Sequence, residues 1–181
     1  SDKEYEAFVG TSDYHMWSSL KERFNLRPSV EELIKTKKQR FIERIDEITL
    51  VDNFFDFMLE LYNRGYSLAL ASSNNRKIID LVMGKFDLSK YIKVAISGEE
   101  VLKSKPEPEI FLKVAEKLHV APRNCLVIED SYAGVQAAKA AKMKCIGFKN
   151  PNSGHQDLSD ADLIVESFSQ LNMDIITKLM Q

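Results

Sequence analysis

The stretch Cys125–Ala138, CLVIEDSYAGVQAA, decides how the chain is organised. Its first four residues are apolar without alternation, a pattern typical of a strand buried on both faces in a parallel sheet. Two adjacent carboxylates, Glu129 and Asp130, follow this strand, and an Ala-rich helical run comes after them. Open α/β sheets bind ligands beyond the carboxyl ends of their strands, so the acidic pair lies where a ligand site is expected.

The acidic pair predicts a cation site. Adjacent carboxylates repel one another, and a cation is therefore a natural partner for Glu129 and Asp130. Hard oxygen ligands suit Mg²⁺, which usually takes one or two protein carboxylates together with substrate phosphate. The alternative is structural, because the helix dipole favours acidic residues in the first turn of a helix. The stretch alone leaves both interpretations open.

Length and composition exclude several classes of partner. The chain has 181 residues and a formal net charge of −2, which fits one domain or a core with a small lobe. No basic patch suggests nucleic acid, and no apolar run is long enough to span a bilayer. Cys125 and Cys145 each open an apolar run, which indicates core packing rather than a disulfide. We expect a soluble, monomeric, cytoplasmic protein without membrane or nucleic-acid partners.

Residues 1–50 predict helices only. Apolar residues at helical spacing predict a helix over Asp13–Phe24. A second helix begins at Ser29, and Glu32 three residues later completes a capping-box pattern. We therefore assign residues 1–50 to a helical domain.

From residue 51 onward, predicted strands and helices alternate. Such alternation implies a parallel sheet with right-handed crossovers. The predicted fold class is α/β, with a Rossmann-like parallel sheet in a three-layer α/β/α core over residues 51–181. The predicted strands are 66–71, 92–96, 125–129, 144–148 and 163–165, and the predicted helices are 52–63, 76–86, 109–118, 132–142 and 167–180.

Two further polar clusters are predicted to join the acidic pair at one edge of the sheet. Ser72, Ser73 and Asn74 follow strand 66–71 and precede a helix, where hydroxyls and free N–H groups can bind an anion. Lys105, in the loop KSKPEPEIF, can bring a positive charge to a phosphate. Each cluster alone has an ordinary alternative, namely a helix cap for the first and an exposed loop lysine for the second. Because all three clusters are predicted at the same edge of the sheet, together they favour a phosphate- and metal-binding site over the separate alternatives.

These motifs together carry a family resemblance. From Val51 onward the chain resembles the haloacid dehalogenase-like hydrolases, and in particular the beta-phosphoglucomutase-like branch. The helical segment 1–50, including FVGTS, is similar to the helical cap of that family. The matching stretches are LALASSN, SKPEPEIF, VIEDSYAGVQAAKAAKM and the tail DADLIVESFSQL.

The resemblance implies a Mg²⁺-dependent phosphoryl-transfer enzyme that acts on a small phosphorylated metabolite such as a sugar phosphate. It implies that Ser72 hydrogen-bonds the transferring phosphate and that Lys105 neutralises the phosphate and the nucleophile. Asp130, with Glu129, would hold Mg²⁺, and the cap would close over the substrate and select it.

The nucleophile of the family is absent from this sequence. Members carry an Asp-x-Asp motif after a first strand that lies at the centre of the sheet. Asp160-Ala161-Asp162 has this spacing but precedes a short strand, so we do not interpret it as a relocated nucleophile. Without the central strand, strands 66–71 and 125–129 would each keep an unpaired edge. We therefore predict a fragment of a longer enzyme, inactive alone; otherwise these two strands would pair directly.

The sequence differs from the family pattern in a second respect, which concerns the substrate. Sugar phosphomutases of this branch carry an arginine shortly after the glycine that corresponds to Gly10, and here Asp13 follows instead. This difference favours a phosphatase, with a sugar phosphomutase as the alternative. Arg76, Lys37 and Lys38 are other cations that could hold a second phosphate, and the sequence does not select among them.

Three other classes of protein share some of these features. A non-catalytic remnant that binds a phosphometabolite or a partner remains an alternative. A phospho-receiver domain is disfavoured because receivers place the acids first and the lysine last. A dinucleotide-binding domain is disfavoured because no G-x-G-x-x-G motif follows a strand.

Overall fold

The structure is a computed structural model that describes Glu4 and residues 6–181. Its helices are Asp13–Phe24 (α1), Val30–Glu43 (α2), Phe54–Asn63 (α3), Arg76–Lys85 (α4), Glu109–Leu118 (α5), Tyr132–Ala140 (α6) and Met173–Met180 (α7). Its strands are Leu68–Ser72 (β1), Ile92–Ser97 (β2), Leu126–Glu129 (β3), Lys144–Phe148 (β4) and Leu163–Val165 (β5).

The helical pair α1 and α2 begins and ends where local sequence signals predict. Ser12 caps α1, and Asn25 ends it in the left-handed conformation. Ser29 and Glu32 form the predicted capping box at the start of α2. The two helices contact one another, but no residue of α2 is buried. The apolar stripe of α2 is therefore only partly covered.

The strands pair in parallel and form two separate pieces of sheet. β1 pairs with β2, and β4 lies between β3 and β5. Parallel strands joined through helices confirm the predicted α/β class. Within the described residues β1 and β3 do not pair, so the alternative of direct pairing is wrong. One edge of β1 and one edge of β3 lack a strand partner there.

Helices cover both faces of the sheet. Val127 packs into an apolar cluster with α5 and α6, whereas the next residue, Ile128, packs into a second cluster with α3 and α7. Likewise Ala71 packs into the first cluster and Leu70 into a third one with α3 and α4. Because neighbouring strand residues point to opposite faces, these clusters define the predicted three-layer arrangement. The helices span both pieces of sheet and hold them together.

One predicted helix is wrong. Residues 167–180 do not form a single helix, because Ser167 caps a short 3-10 turn and Asn172 caps α7 separately. The turn places Phe168 in the core, where its ring stacks on Phe148 at a centroid distance of 4.8 Å. In the part of the chain that the structure describes, no helix has both the length and the apolar character needed to cross a membrane.

Candidate active site

Lys105 joins the carboxyl ends of β1 and β3. Its ammonium group donates to the backbone oxygen of Ala71 at 3.4 Å and forms an ion pair with Glu129. The Lys105 side chain is only 5% exposed and that of Glu129 only 9%. The ammonium also lies 4.8 Å from the centroid of the Phe111 ring, within range of a cation–π contact. The alternative of an exposed loop lysine is therefore wrong.

Both carboxylate oxygens of Glu129 have protein partners. Oε1 pairs with Lys105, and Oε2 accepts hydrogen bonds from the Ser131 hydroxyl at 3.0 Å and from the Asp130 backbone N–H at 3.2 Å. Gly134 of α6 lies directly against this carboxylate, and a Cβ there would collide with it. The Glu129 side chain is thus fixed by four neighbours.

Asp130 is held differently from Glu129. Its Oδ2 accepts hydrogen bonds from Asn150 Nδ2 and Ser153 Oγ, each at 2.7 Å. No donor in the described part of the chain reaches Oδ1. The sequence patterns that predict the other site residues do not include Asn150 or Ser153, although both carry a recognisable signal. Both belong to a polar stretch after the predicted strand 144–148, at the same edge as the other clusters.

The turn after β1 is arranged around the Ser72 hydroxyl. Ser72 Oγ accepts hydrogen bonds from the backbone N–H of Asn74 at 3.2 Å and from its side-chain amide at 3.3 Å. The Ser73 hydroxyl donates to the Gly10 carbonyl at 2.7 Å. Helix α4 is capped by Asn75 instead. The cap alternative for residues 72–74 is therefore wrong, and the hydroxyl hydrogen of Ser72 has no acceptor within the described residues.

Residues near the amino terminus contact this edge of the sheet. Gly10 has a positive φ of 83°, and a Cβ there would collide with the Ser131 side chain. The side-chain amide of Gln156, in the loop after β4, donates to the Glu6 carbonyl at 2.9 Å. The segment that precedes α1 therefore touches the residues after β1, β3 and β4.

The candidate cations for a second phosphate differ in their partners. Lys37 forms an ion pair with Asp13, and Arg76 forms one with Glu100. The hydrogen bond to Glu100 is the main reason that the pKa of Arg76 is raised. Lys38 lines an open cavity of about 520 Å³ beside Arg76 and has no ion-pair partner in the described part of the chain. Of the three cations, Lys38 alone is thus uncompensated there.

Asp162 lies at the opposite edge of the sheet. Its Oδ2 accepts the Cys145 backbone N–H at 2.8 Å, at the start of β4, and pairs with Lys139 at 2.7 Å. Burial acts to raise the pKa of Asp162, but the hydrogen bonds from Lys139 and Cys145 and the charges of Lys139 and Lys144 together outweigh it, and the pKa is lowered. The Asp-x-Asp spacing at 160–162 is structural, which agrees with the prediction that it is not a relocated nucleophile.

The sequence pattern of the haloacid dehalogenase-like hydrolases matches residues 1–148. The chain belongs to this family. Among curated relatives, YhcW of Bacillus subtilis (strain 168) is 30% identical over 172 residues, which cover 93% of this chain and 77% of YhcW. The phosphorylated carbohydrates phosphatase of Thermotoga maritima is 35% identical over 131 residues, 70% of this chain and 59% of that protein.

The fold agrees with the family. The crystal structure of beta-phosphoglucomutase from Clostridium difficile superposes with a TM-score of 0.86 at 26% identity, covering 99% of this chain and 82% of that one. This similarity confirms the Rossmann-like α/β core. The chain spans only 35 to 56% of the length of several other curated relatives that it matches.

The residues at this edge fit part of a Mg²⁺ site. Asp130 Oδ1 offers a free carboxylate oxygen at a strand end, which is the ligand type that Mg²⁺ prefers. The described residues contain no cluster of three or more His, Cys, Asp or Glu side chains that could enclose a metal. Mg²⁺ commonly binds through one or two carboxylates, water and substrate phosphate, so a complete protein cage is not required.

Proposed function

We propose that this chain forms most of a Mg²⁺-dependent phosphatase for a small phosphorylated metabolite such as a sugar phosphate. Residues 1–50 serve as its helical cap and residues 51–181 as its core. The buried Lys105 ammonium, held between the end of β1 and Glu129, is the observation that carries the proposal. A cation fixed in a water-poor site stabilises a transferring phosphoryl group strongly and needs little reorganisation during the reaction.

The phosphate binds at the turn after β1. Ser72 Oγ already accepts two hydrogen bonds from Asn74, so its own hydrogen is available to a phosphate oxygen. Lys105 carries three N–H groups and uses two of them on Ala71 and Glu129, which leaves one for the phosphate. Asn74 keeps the Ser72 hydroxyl in place, and Ser73 completes the phosphate-binding turn and ties it to the Gly10 carbonyl.

Asp130, after β3, would hold Mg²⁺ through its free Oδ1. Glu129 would add negative charge beside the ion while it holds Lys105. When bound, the ion supplies charge neutralisation for the transferring phosphoryl group. The division of roles follows from the hydrogen bonds, because both Glu129 oxygens are already occupied.

The nucleophile comes from a further strand that carries the Asp-x-Asp motif of the family. This strand lies between β1 and β3 in the full-length enzyme. The unpaired edges of β1 and β3 support this position for the missing strand. Every buried N–H or C=O group without a partner costs about 1–3 kcal/mol, and a strand between β1 and β3 would supply those partners. Lys105 touches the ends of both strands and would therefore lie beside the nucleophile.

A phosphatase fits better than a sugar phosphomutase. Asp13 stands where the mutases carry an arginine, and its carboxylate pairs with Lys37. This position therefore offers no free cation for a second phosphate. The mutase remains the second candidate because of the close structural match to beta-phosphoglucomutase.

Activity of two versions of the chain tests the proposal. Hydrolysis of p-nitrophenyl phosphate and of hexose monophosphates is measured for the 181-residue chain and for a chain extended by the segment encoded upstream of Ser1. We expect no turnover from the first chain and Mg²⁺-dependent, EDTA-sensitive phosphate release from the second. Equal inactivity of both would support a binding role, and isomerisation of a hexose phosphate without phosphate release would favour the mutase.

A further inference from the structure

The loop after β4 is built to reach Asp130. The side-chain oxygen of Asn150, Oδ1, accepts a hydrogen bond from the backbone N–H of Asn152 at 3.0 Å. The backbone oxygen of Asn150 accepts one from the backbone N–H of Ser153, also at 3.0 Å. The first of these bonds fixes the orientation of the Asn150 amide, since the accepting end is its oxygen. Its Nδ2 group then points to Asp130 Oδ2, where it donates at 2.7 Å.

Ser153 makes a second contact to the same carboxylate oxygen. The short 3-10 turn over Pro151–Ser153 brings the Ser153 hydroxyl to Asp130 Oδ2, also at 2.7 Å. Ser153 is only 7% exposed, so its hydroxyl is held at this place. Hydrogen bonds to an ionised carboxylate are about twice as strong as hydrogen bonds between neutral groups. Two such bonds to one oxygen therefore restrict the orientation of the Asp130 side chain effectively.

The two donors share one oxygen and leave the other free. In the neighbouring Glu129, donors occupy both oxygens, and the whole carboxylate is used within the protein. In Asp130 the donors of the described residues all reach Oδ2, and the side chain is only partly buried. Oδ1 is thus held in a fixed direction and has no donor of its own among the described residues.

We infer that Asn150 and Ser153 are positioning residues that orient the Asp130 carboxylate for a divalent cation. The inference rests on the proposed function, because it takes Asp130 as the metal-binding carboxylate. Partners that hydrogen-bond a metal ligand commonly change metal affinity by about 10- to 100-fold when they are removed. Neither residue is expected to touch the ion itself.

Binding of Mn²⁺, a paramagnetic substitute for Mg²⁺, tests this inference without any need for turnover. The electron paramagnetic resonance signal of free Mn²⁺ is followed up to millimolar concentration as the chain extended by the segment encoded upstream of Ser1 is added. We expect Asn150→Ala and Ser153→Ala each to weaken binding by about 10-fold or more. Asn152→Ala is the matched control, because this exposed side chain of the same loop makes no contact to Asp130. Ser153→Thr, which keeps the hydroxyl, should bind almost as tightly as the unchanged chain.

The controls separate the inference from the proposed function. Asp130→Asn should abolish the binding, and if it does not, the proposed metal site is wrong. If Asp130→Asn abolishes binding but both alanine variants bind as tightly as the unchanged chain, the positioning inference is wrong and the metal site stands. If Ser153→Thr is as weak as Ser153→Ala, packing rather than the hydroxyl acts on Asp130, and the role of Ser153 is overturned. Thermal melting of each variant verifies that it is folded.

Discussion

At the scale of single residues, the site depends on side chains that hold other side chains. Glu129 keeps Lys105 buried at the sheet edge, and the small size of Gly134 leaves room for the Glu129 carboxylate. An ion pair as buried as this one is costly to break, because each charge would be left without its partner. The geometry of the pair is therefore sensitive to small changes nearby.

Gly134→Ala should displace the Glu129 carboxylate from Lys105. A methyl group at this position would collide with the carboxylate, so we expect a loss of about 1–3 kcal/mol in the free energy of unfolding. Gly84→Ala is the matched control, since, apart from its chain neighbours and the backbone of its own helix, no described residue has an atom within 4 Å of a Cβ at that position. The control should be neutral or more stable by up to about 1 kcal/mol. Urea denaturation that gives the same result for both variants would contradict this account of Gly134.

Asp162 predicts a pH dependence of stability. Because its pKa in the folded chain lies below the ordinary value of 3.8, its carboxylate stabilises the fold above that pH. This contribution is lost as the pH falls through the lower pKa of the folded state. At pH 7, Asp162→Asn should therefore be less stable than the unchanged chain by about 1 kcal/mol, and the difference should shrink near pH 3. An equal difference in the free energy of unfolding at both pH values would contradict the assignment.

At the scale of helices and strands, ends that are encoded locally could be predicted from the sequence. The bounds of α1 and α5 agree with the prediction to the residue, and the Ser29 capping box forms as expected. The predicted helix over 167–180 fails because its division depends on the core. The turn over Phe168–Gln170 buries the Phe168 ring against aromatic residues from distant parts of the chain. Hydrophobic periodicity within one segment cannot reveal such long-range contacts.

In the candidate site, too, features set by chain topology could be predicted, whereas those that depend on long-range side-chain contacts could not. Ser72, Lys105 and the acidic pair follow strands, so the topology of a parallel sheet places them at one edge. The hydrogen bonds from Asn150 and Ser153 to Asp130 could not be predicted in the same way, because they join side chains about 20 positions apart in the sequence. Nor could the sequence reveal that Glu129 uses both of its oxygens within the protein.

Phe168 should be the most sensitive position of the turn before α7. Its ring stacks on Phe148 and lies edge-on to Phe54 at 5.4 Å. Phe168→Ala should lower the free energy of unfolding by about 3–5 kcal/mol, because it leaves a cavity among these rings. Ile164→Ala, at a β5 position that is 41% exposed, should change it by no more than about 0.5 kcal/mol. Equal losses in urea denaturation would contradict the role of the turn.

At the scale of the whole molecule, the divided sheet is the main feature. Helices hold its two pieces together, while one edge of β1 and one edge of β3 have no strand partner among the described residues. In a parallel strand, backbone groups alternate between its two sides. Within the described residues, every second amide of β1 and β3 therefore lacks a ladder hydrogen bond, whereas β4 is paired on both sides.

Hydrogen exchange should report this gap residue by residue. In the 181-residue chain, alternate amides of β1 and β3 should exchange faster than those of β4, because unpaired edges open more readily. In the extended chain the same amides should become as protected as those of β4. Equal protection in the two chains would contradict a strand between β1 and β3.

Substitution of Lys105 in the extended chain tests the central claim, that this sheet edge performs phosphoryl transfer. The measurement is kcat for Mg²⁺-dependent hydrolysis of p-nitrophenyl phosphate, with melting temperatures recorded in parallel. Lys105→Met should lower kcat by about 100-fold or more, because the proposed mechanism uses this buried charge to stabilise the transferring group. Lys103→Met, which changes an exposed lysine of the same loop, should leave kcat unchanged. A folded Lys105→Met variant with full Mg²⁺-dependent activity would contradict the claim.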